Sequence, residues 1–262
     1  MAGWTLITGA SEGLGVEFAH IAARENRNVI LAARSKDKLE KVASDLRELG
    51  VKAVVIPADL SNMTEVDRLW SDATDGRNVD VLVNNAGLAF NGAFADAEGW
   101  ERETSSINVN MLALTRLMKL AIPHMKQLEK GRILNVASIA GFAPGPGMAV
   151  YCATKAYVLS LSEAVGNELK GTNVTVTALC PGTTATNFFE DAKMADATLL
   201  KIAKPMDAKI VAELGWLQSA IGKPVVVPGA MNKVFSFLPR IVPRRLTTLV
   251  NGKIMNDHWG LE

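Results

Sequence analysis

Seven short apolar runs alternate with helical patterns along the chain, and this alternation constrains the fold more than any other feature. The runs extend from Thr5 to Thr8, Asn28 to Ala32, Lys52 to Ile56, Val79 to Val83, Arg132 to Ala137, Val174 to Leu179 and Pro224 to Val227. They are rich in β-branched residues and apolar almost throughout, the pattern of strands covered on both faces. The helical patterns between them run from Leu14 to Glu25, Lys36 to Leu49, Met63 to Asp72, Trp100 to Leu128 and Ala149 to Leu169. Strands joined by right-handed helical crossovers pair in parallel, so the sequence predicts a doubly wound α/β domain with a seven-stranded parallel sheet. With no internal repeat or linker, residues 1–262 read as one domain.

The first run ends in Thr8-Gly9-Ala10-Ser11-Glu12-Gly13-Leu14-Gly15, directly before the first helix. Glycines at this spacing permit a tight turn, let backbone approach a pyrophosphate and let the helix pack closely on the sheet. Free N–H groups at the helix start favour an anion. A glycine turn also ends strands for purely structural reasons, so the rest of the chain has to decide. The second run leads to Ala33 and Arg34, where a Rossmann-type fold recognises the adenosine ribose. An acid there selects NAD and an Arg accommodates the 2′-phosphate of NADP, so Ala33-Arg34 favours NADP(H), with NAD(H) as the alternative. Asp59 contacts adenine or caps the following helix. Asn84-Asn85-Ala86-Gly87 closes the fourth run with poor strand residues suited to local hydrogen bonding.

Composition excludes several classes. The chain is 48% hydrophobic and 21% charged with a net charge of +1, a globular composition without the field that nucleic acid requires. No apolar run reaches membrane-spanning length, and the first residues lack a basic region followed by a long apolar one. Cys152 and Cys180 sit in apolar surroundings and read as buried, reduced thiols of a cytoplasmic protein. His20, His124 and His258 are scattered, so no metal site is expected. The Asn-x-Thr triplets at Asn62 and Asn173 read as a helix start and a loop.

Tyr151 and Lys155 stand four apart on a helical pattern, hence on one face, with Ser138 at the end of the preceding strand. A phenol titrates near ~10 and exchanges a proton with an alcohol more readily beside a cation. An ammonium ~4 Å away at an effective dielectric of ~20 is worth about 4 kcal/mol, enough to draw the phenol well down. A Ser hydroxyl then fixes the substrate oxygen. Alone, the Tyr-x-x-x-Lys spacing also fits an ordinary helix-surface pair.

With these residues in place the chain resembles the short-chain dehydrogenase/reductase family. The resemblance covers residues 3 to about 187: the turn at Thr8 to Gly15, Asn84-Asn85-Ala86-Gly87, Ile107-Asn108-Val109-Asn110, Ser138, Tyr151-x-x-x-Lys155 and Pro181-Gly182-Thr183-Thr184-Ala185-Thr186. It implies a Rossmann-fold oxidoreductase that interconverts a carbonyl and a secondary alcohol, with a ketone or 3-oxoacyl reductase as the leading case. Tyr151 would be the general acid or base, Lys155 would bind the nicotinamide ribose and lower the Tyr, and Ser138 would orient the substrate. Asn108 would kink its helix and hold a water behind Lys155. Around the cofactor the resemblance places Gly9, Ser11, Glu12, Gly13, Leu14, Gly15, Arg34, Asp59, Leu60, Asn85, Ala86, Gly87, Pro181, Gly182, Thr184 and Thr186, besides Tyr151 and Lys155. Glu12 departs from the basic residue of some NADP-using relatives. The partners implied are a small carbonyl or alcohol substrate and further copies of the chain, as a dimer or tetramer. A non-catalytic NADPH sensor and a membrane-surface, lipid-directed reductase are the alternatives.

Two segments remain. Residues 183–204 follow a strand's carboxyl end, where ligands bind, and carry Phe188, Phe189, Met194, Leu199 and Leu200, as a substrate lid would. With Ala140, Phe142, Pro144 and Met148 they would line an apolar pocket. Residues 229–262 form a C-terminal extension in which Met231, Val234, Phe235, Phe237, Leu238, Ile241, Val242 and Leu246 interleave with Lys233, Arg240, Arg244 and Arg245. Packing on the domain or on a second subunit is the favoured reading, a membrane-facing surface the other, with Pro239 and Pro243 breaking the helix.

Overall fold

The computed structural model describes residues 3–95, 99–185 and 205–255. Its strands are β1 (Trp4–Thr8), β2 (Asn28–Ala33), β3 (Ala53–Pro57), β4 (Val79–Asn84), β5 (Gly131–Val136), β6 (Val174–Leu179) and β7 (Val225–Val226). All pair in parallel, in the order β3-β2-β1-β4-β5-β6-β7. Alternate residues of the same strand enter different cores: Leu6, Ile30, Leu82 and Ile133 on one face, Ile7, Leu31, Val83 and Leu134 on the other. That is why the runs are apolar without alternation. Each such fully buried side chain is worth about 1.5–3 kcal/mol.

Helices α1 (Gly13–Arg24) and α2 (Lys36–Glu48) cover the second face, and α3 (Met63–Thr74) covers the first. Asn62 starts α3 as expected, its Oδ1 accepting the Thr64 N–H at 3.0 Å. The expected helix from Trp100 to Leu128 is three pieces: α4 (Trp100–Ile107), a π-helical segment (Asn108–Ala113) and α5 (Leu114–Gln127). α6 (Ala149–Glu168) follows, then α7 (Ala208–Ala220), which lay outside the predicted helices. β7 has two residues where four were expected, because Pro224 lacks the N–H that a ladder needs and Pro228 follows close behind. α7 is anchored by buried Trp216, whose Nε1 donates to Glu25 Oε1 at 2.8 Å beneath the Arg132 guanidinium, 4.1 Å from the ring.

The tail folds as α8 (Ala230–Phe237), a single 3-10 turn (Leu238–Arg240) and α9 (Arg244–Met255), broken at Pro239 and Pro243 as the sequence requires. It packs back on the domain: Asn251 Nδ2 donates to the Pro144 carbonyl at 2.9 Å, and Asn232 lies against Gly182. Strand order reverses between β1 and β4, so the crevice outside their carboxyl ends is where such a sheet binds ligands.

Candidate active site

The glycine turn is built as a backbone cradle. Gly9 has φ +63°, and a side chain there would meet the Ala86 Cα at 2.8 Å. A side chain at Gly15 would run into the Gly9 carbonyl, so α1 packs this closely only with glycine. The Asn85 amide clasps the turn, donating from Nδ2 to the carbonyls of Thr8 and Gly9 at 3.0 Å each. Thr8 Oγ1 accepts the Asn85 and Ala86 N–H groups at 3.0 and 3.1 Å. Asn85 lines the cleft as expected, but its side chain serves to lock β1 to β4. Glu12 precedes α1 without making a capping bond, so its carboxylate takes none of the first-turn N–H groups.

At one end of the cleft, Arg34, Ser35 and Lys38 stand beside Glu12, Asp59 and Leu60. Lys38 escaped the sequence reading, although its spacing of four from Arg34 at a helix start was the available signal. Lys38 Nζ lies 3.2 Å from Glu12 Oε2, so the Glu12 departure is charge-compensated. Asp59 does not cap α3. Its Oδ1 accepts the Ser61 N–H and hydroxyl at 3.0 and 2.8 Å, and these bonds, with the Arg34 charge adding, hold its carboxyl below the usual range.

Midway along, Ser138, Tyr151 and Lys155 converge. Ser138 Oγ accepts the Ala140 N–H at 3.1 Å and donates to the Pro181 carbonyl at 3.5 Å. Lys155 Nζ donates to the Val136 carbonyl at 2.8 Å and lies 5.7 Å from the Tyr151 ring centroid. Burial governs both titrations. It pushes the Tyr151 phenol up, partly offset by a hydrogen bond with Ser138, and it draws Lys155 down to about 8. Desolvation therefore outweighs any lowering of Tyr151 by Lys155, a cation that is itself desolvated. Cys152 and Cys180 are free and buried, and burial raises their thiols to about 11 and about 12.

The amide that shares the Gly87 surface with Lys155 is Asn110, not Asn108. Asn108 Nδ2 turns away to the Ser61 carbonyl at 3.2 Å. Asn110, buried in the π-helical segment, accepts the Leu88 N–H at 2.8 Å and donates to the Leu88 carbonyl at 2.8 Å and to Thr154 Oγ1 at 3.0 Å. A Cβ on Gly87 would lie 3.2 Å from Lys155 Nζ and 3.4 Å from Asn110 Oδ1, so both side chains abut that glycine. The extra residue of a π turn shifts the helix face by about one position, which a regular helical reading misses. A second unforeseen amide is buried Asn135 on β5, which accepts from Asn84 Nδ2 at 2.9 Å and donates to Ser162 Oγ at 2.9 Å.

Pro181, Gly182 and Thr184 line the far end, where Thr183 and Ala185 exchange backbone bonds of 2.9 Å with Met206. Thr186, Phe188, Phe189, Met194, Leu199 and Leu200 lie outside the described residues. Ala140 and Met148 face the cleft, whereas Phe142 packs on the core. The expected wall is completed by the tail: Phe235, Leu238, Val242, Leu246 and Val250 close a cavity of about 870 Å³ that runs unbroken from Arg34. Among the described residues no cluster of His, Cys, Asp or Glu is placed to hold a metal ion.

The family model described as short chain dehydrogenase matches residues 3–196. Ketoacyl reductase HetN of Nostoc sp. is 37% identical, over 76% of this chain and 70% of its own. The very-long-chain 3-oxoacyl-CoA reductase of Anas platyrhynchos is 32% identical over 97% of this chain and 81% of its own. Among solved structures, a short-chain dehydrogenase from Sphingobium yanoikuyae in complex with NADPH superposes with a TM-score of 0.80 at 29% identity, covering 99% of this chain and 97% of that one.

Proposed function

The chain belongs to the short-chain dehydrogenase/reductase family, and from that premise we propose that it is an NADP(H)-dependent reductase converting a ketone, foremost a 3-oxoacyl group, to a secondary alcohol. The observation that carries this reading is the single cleft, cationic at Arg34 and Lys38, polar at Ser138, Tyr151 and Lys155, and apolar beyond. The names of the ketoacyl and 3-oxoacyl-CoA reductases and the NADPH bound to the solved relative support it. The residues fit the cofactor. Gly9, Gly13 and Gly87 line the cleft without a side chain, beside the start of α1.

When bound, NADPH supplies the hydride. The Gly9 to Gly15 turn and the α1 N-terminus would hold its pyrophosphate, Arg34 and Lys38 its 2′-phosphate, and Pro181, Gly182 and Thr184 its nicotinamide end. Ser138 Oγ would donate to the substrate carbonyl oxygen, and the Tyr151 hydroxyl would deliver the proton as charge builds there. Burial keeps that phenol protonated, which suits reduction, the direction that consumes the proton. Lys155 would stabilise the phenolate left behind, and Asn110 would position the Gly87-Leu88 backbone facing it. A single 1–262 domain with residues 183–204 as lid, pairing of copies through the helices around 100–128 and 149–169, and a cytoplasmic site of action belong to the same proposal.

The decisive measurement is turnover of a panel of ketones and 3-oxoacyl thioesters with each cofactor. Arg34→Asp should raise the KM for NADPH about 10- to 100-fold, the worth of a charge-assisted phosphate contact, and change NADH little. Equal losses would reject the phosphate role. The pH profile supplies a second check. Lys155 is cationic below about 8 and neutral above it. Reductive kcat/KM should therefore hold below pH 8 and fall about tenfold per unit above it, reporting the free enzyme. A profile flat to pH 10 would overturn the role of the ammonium.

A further inference from the structure

Residues 229–255 carry Lys233, Arg240, Arg244, Arg245 and Lys253 and neither Asp nor Glu. The same stretch has two apolar sides. Phe235, Leu238, Leu246 and Val250 face the cleft, while Met231, Phe237, Ile241 and Leu249 remain 64%, 56%, 66% and 65% exposed. Even cleft-lining Leu246 and Val250 are half exposed, so the apolar surface continues from the cavity mouth to the outside. Large exposed apolar side chains interleaved with cations along the segment mark an interaction surface rather than chance exposure.

We propose that α8 and α9 seat the protein on an anionic lipid surface, with the mouth of the cleft turned to the bilayer. The charge selects this occupant, because an exposed apolar segment whose charged residues over 229–255 are all cations complements lipid phosphates. A second copy of the segment would bring like charges together. The segment lies on the surface and does not cross it: α9 has 12 residues, and among the described residues no helix is long and apolar enough to span. In this orientation a carbonyl compound with a long apolar tail leaves the bilayer along Leu246 and Val250 and brings its polar end to Ser138 and Tyr151. That substrate route rests on the reductase reading, whereas lipid docking stands without it.

The test is co-sedimentation of the full chain with vesicles of phosphatidylcholine alone and of equimolar phosphatidylcholine and phosphatidylglycerol. The protein should sediment with the mixed vesicles, much less with the neutral ones, and less as salt rises. Replacing Arg240, Arg244 and Arg245 together by Gln should lower the partition coefficient about a hundredfold, about fivefold per cation. Ile241→Ser with Leu249→Ser should lower it too, and the melting temperature should be unchanged in both variants. Protein left in the supernatant by both vesicles, equal binding to neutral lipid, or variants that bind like the parent would overturn the proposal. So would a loss of self-association in the variants with no lipid binding by the parent. Because sedimentation needs no turnover, an inactive protein that still binds refutes the reductase reading alone.

Discussion

Tyr151→Phe is expected to lower reductive kcat about a thousandfold, within the range for a lost general acid, while NADPH affinity is unchanged. The ring fills the same buried volume on α6, so packing against neighbouring side chains is retained. What goes is the hydroxyl, with its hydrogen bond to Ser138 and its transferable proton. One neutral hydrogen bond contributes about 1 kcal/mol to stability, so the fold survives. Single-turnover NADPH oxidation, cofactor titration and a thermal melt separate these effects. Turnover near that of the parent would reject Tyr151 as the proton donor.

Asn110→Leu is expected to be the most damaging conservative-volume change in the site. It strips partners from the Leu88 N–H, the Leu88 carbonyl and the Thr154 hydroxyl at once. Unsatisfied buried groups cost about 1–3 kcal/mol each. Leu88 is half-buried and partly open to water, so a total of about 3 kcal/mol, or a melting drop of about 6–12 °C, is the expected result. Turnover should fall as well, because the Gly87-Leu88 backbone that abuts Lys155 loses its anchor. Asn108→Ala removes one bond to the Ser61 carbonyl and should cost about 1 kcal/mol. Equal losses from the two substitutions would refute the assignment of position 110.

The glycine turn, Ser138, Tyr151 and Lys155 were legible because each occupies a strand end or a helix face whose direction the period fixes. Arg34 was legible for the same reason, being one step beyond a strand. Lys38 was missed because its role comes from facing Glu12 across the turn, a pairing between residues 26 apart. Asn110 was missed because the helix it sits in is not regular. α7 was missed because its pattern is apolar on nearly every side: Val211, Ala212 and Trp216 are buried, while Ile210 and Leu217 are exposed.

The sequence by itself determined the sheet, its parallel pairing and the chemistry at its carboxyl ends, because a period of two with both positions apolar leaves a strand no exposed face. It also broke the tail at Pro239 and Pro243. Only the tertiary structure decided that the tail walls the cleft, that Asn110 and not Asn108 abuts the glycine beside Lys155, and that burial raises Tyr151 and lowers Lys155. Those outcomes depend on contacts between distant segments and on the exclusion of water, which no local pattern of residues records.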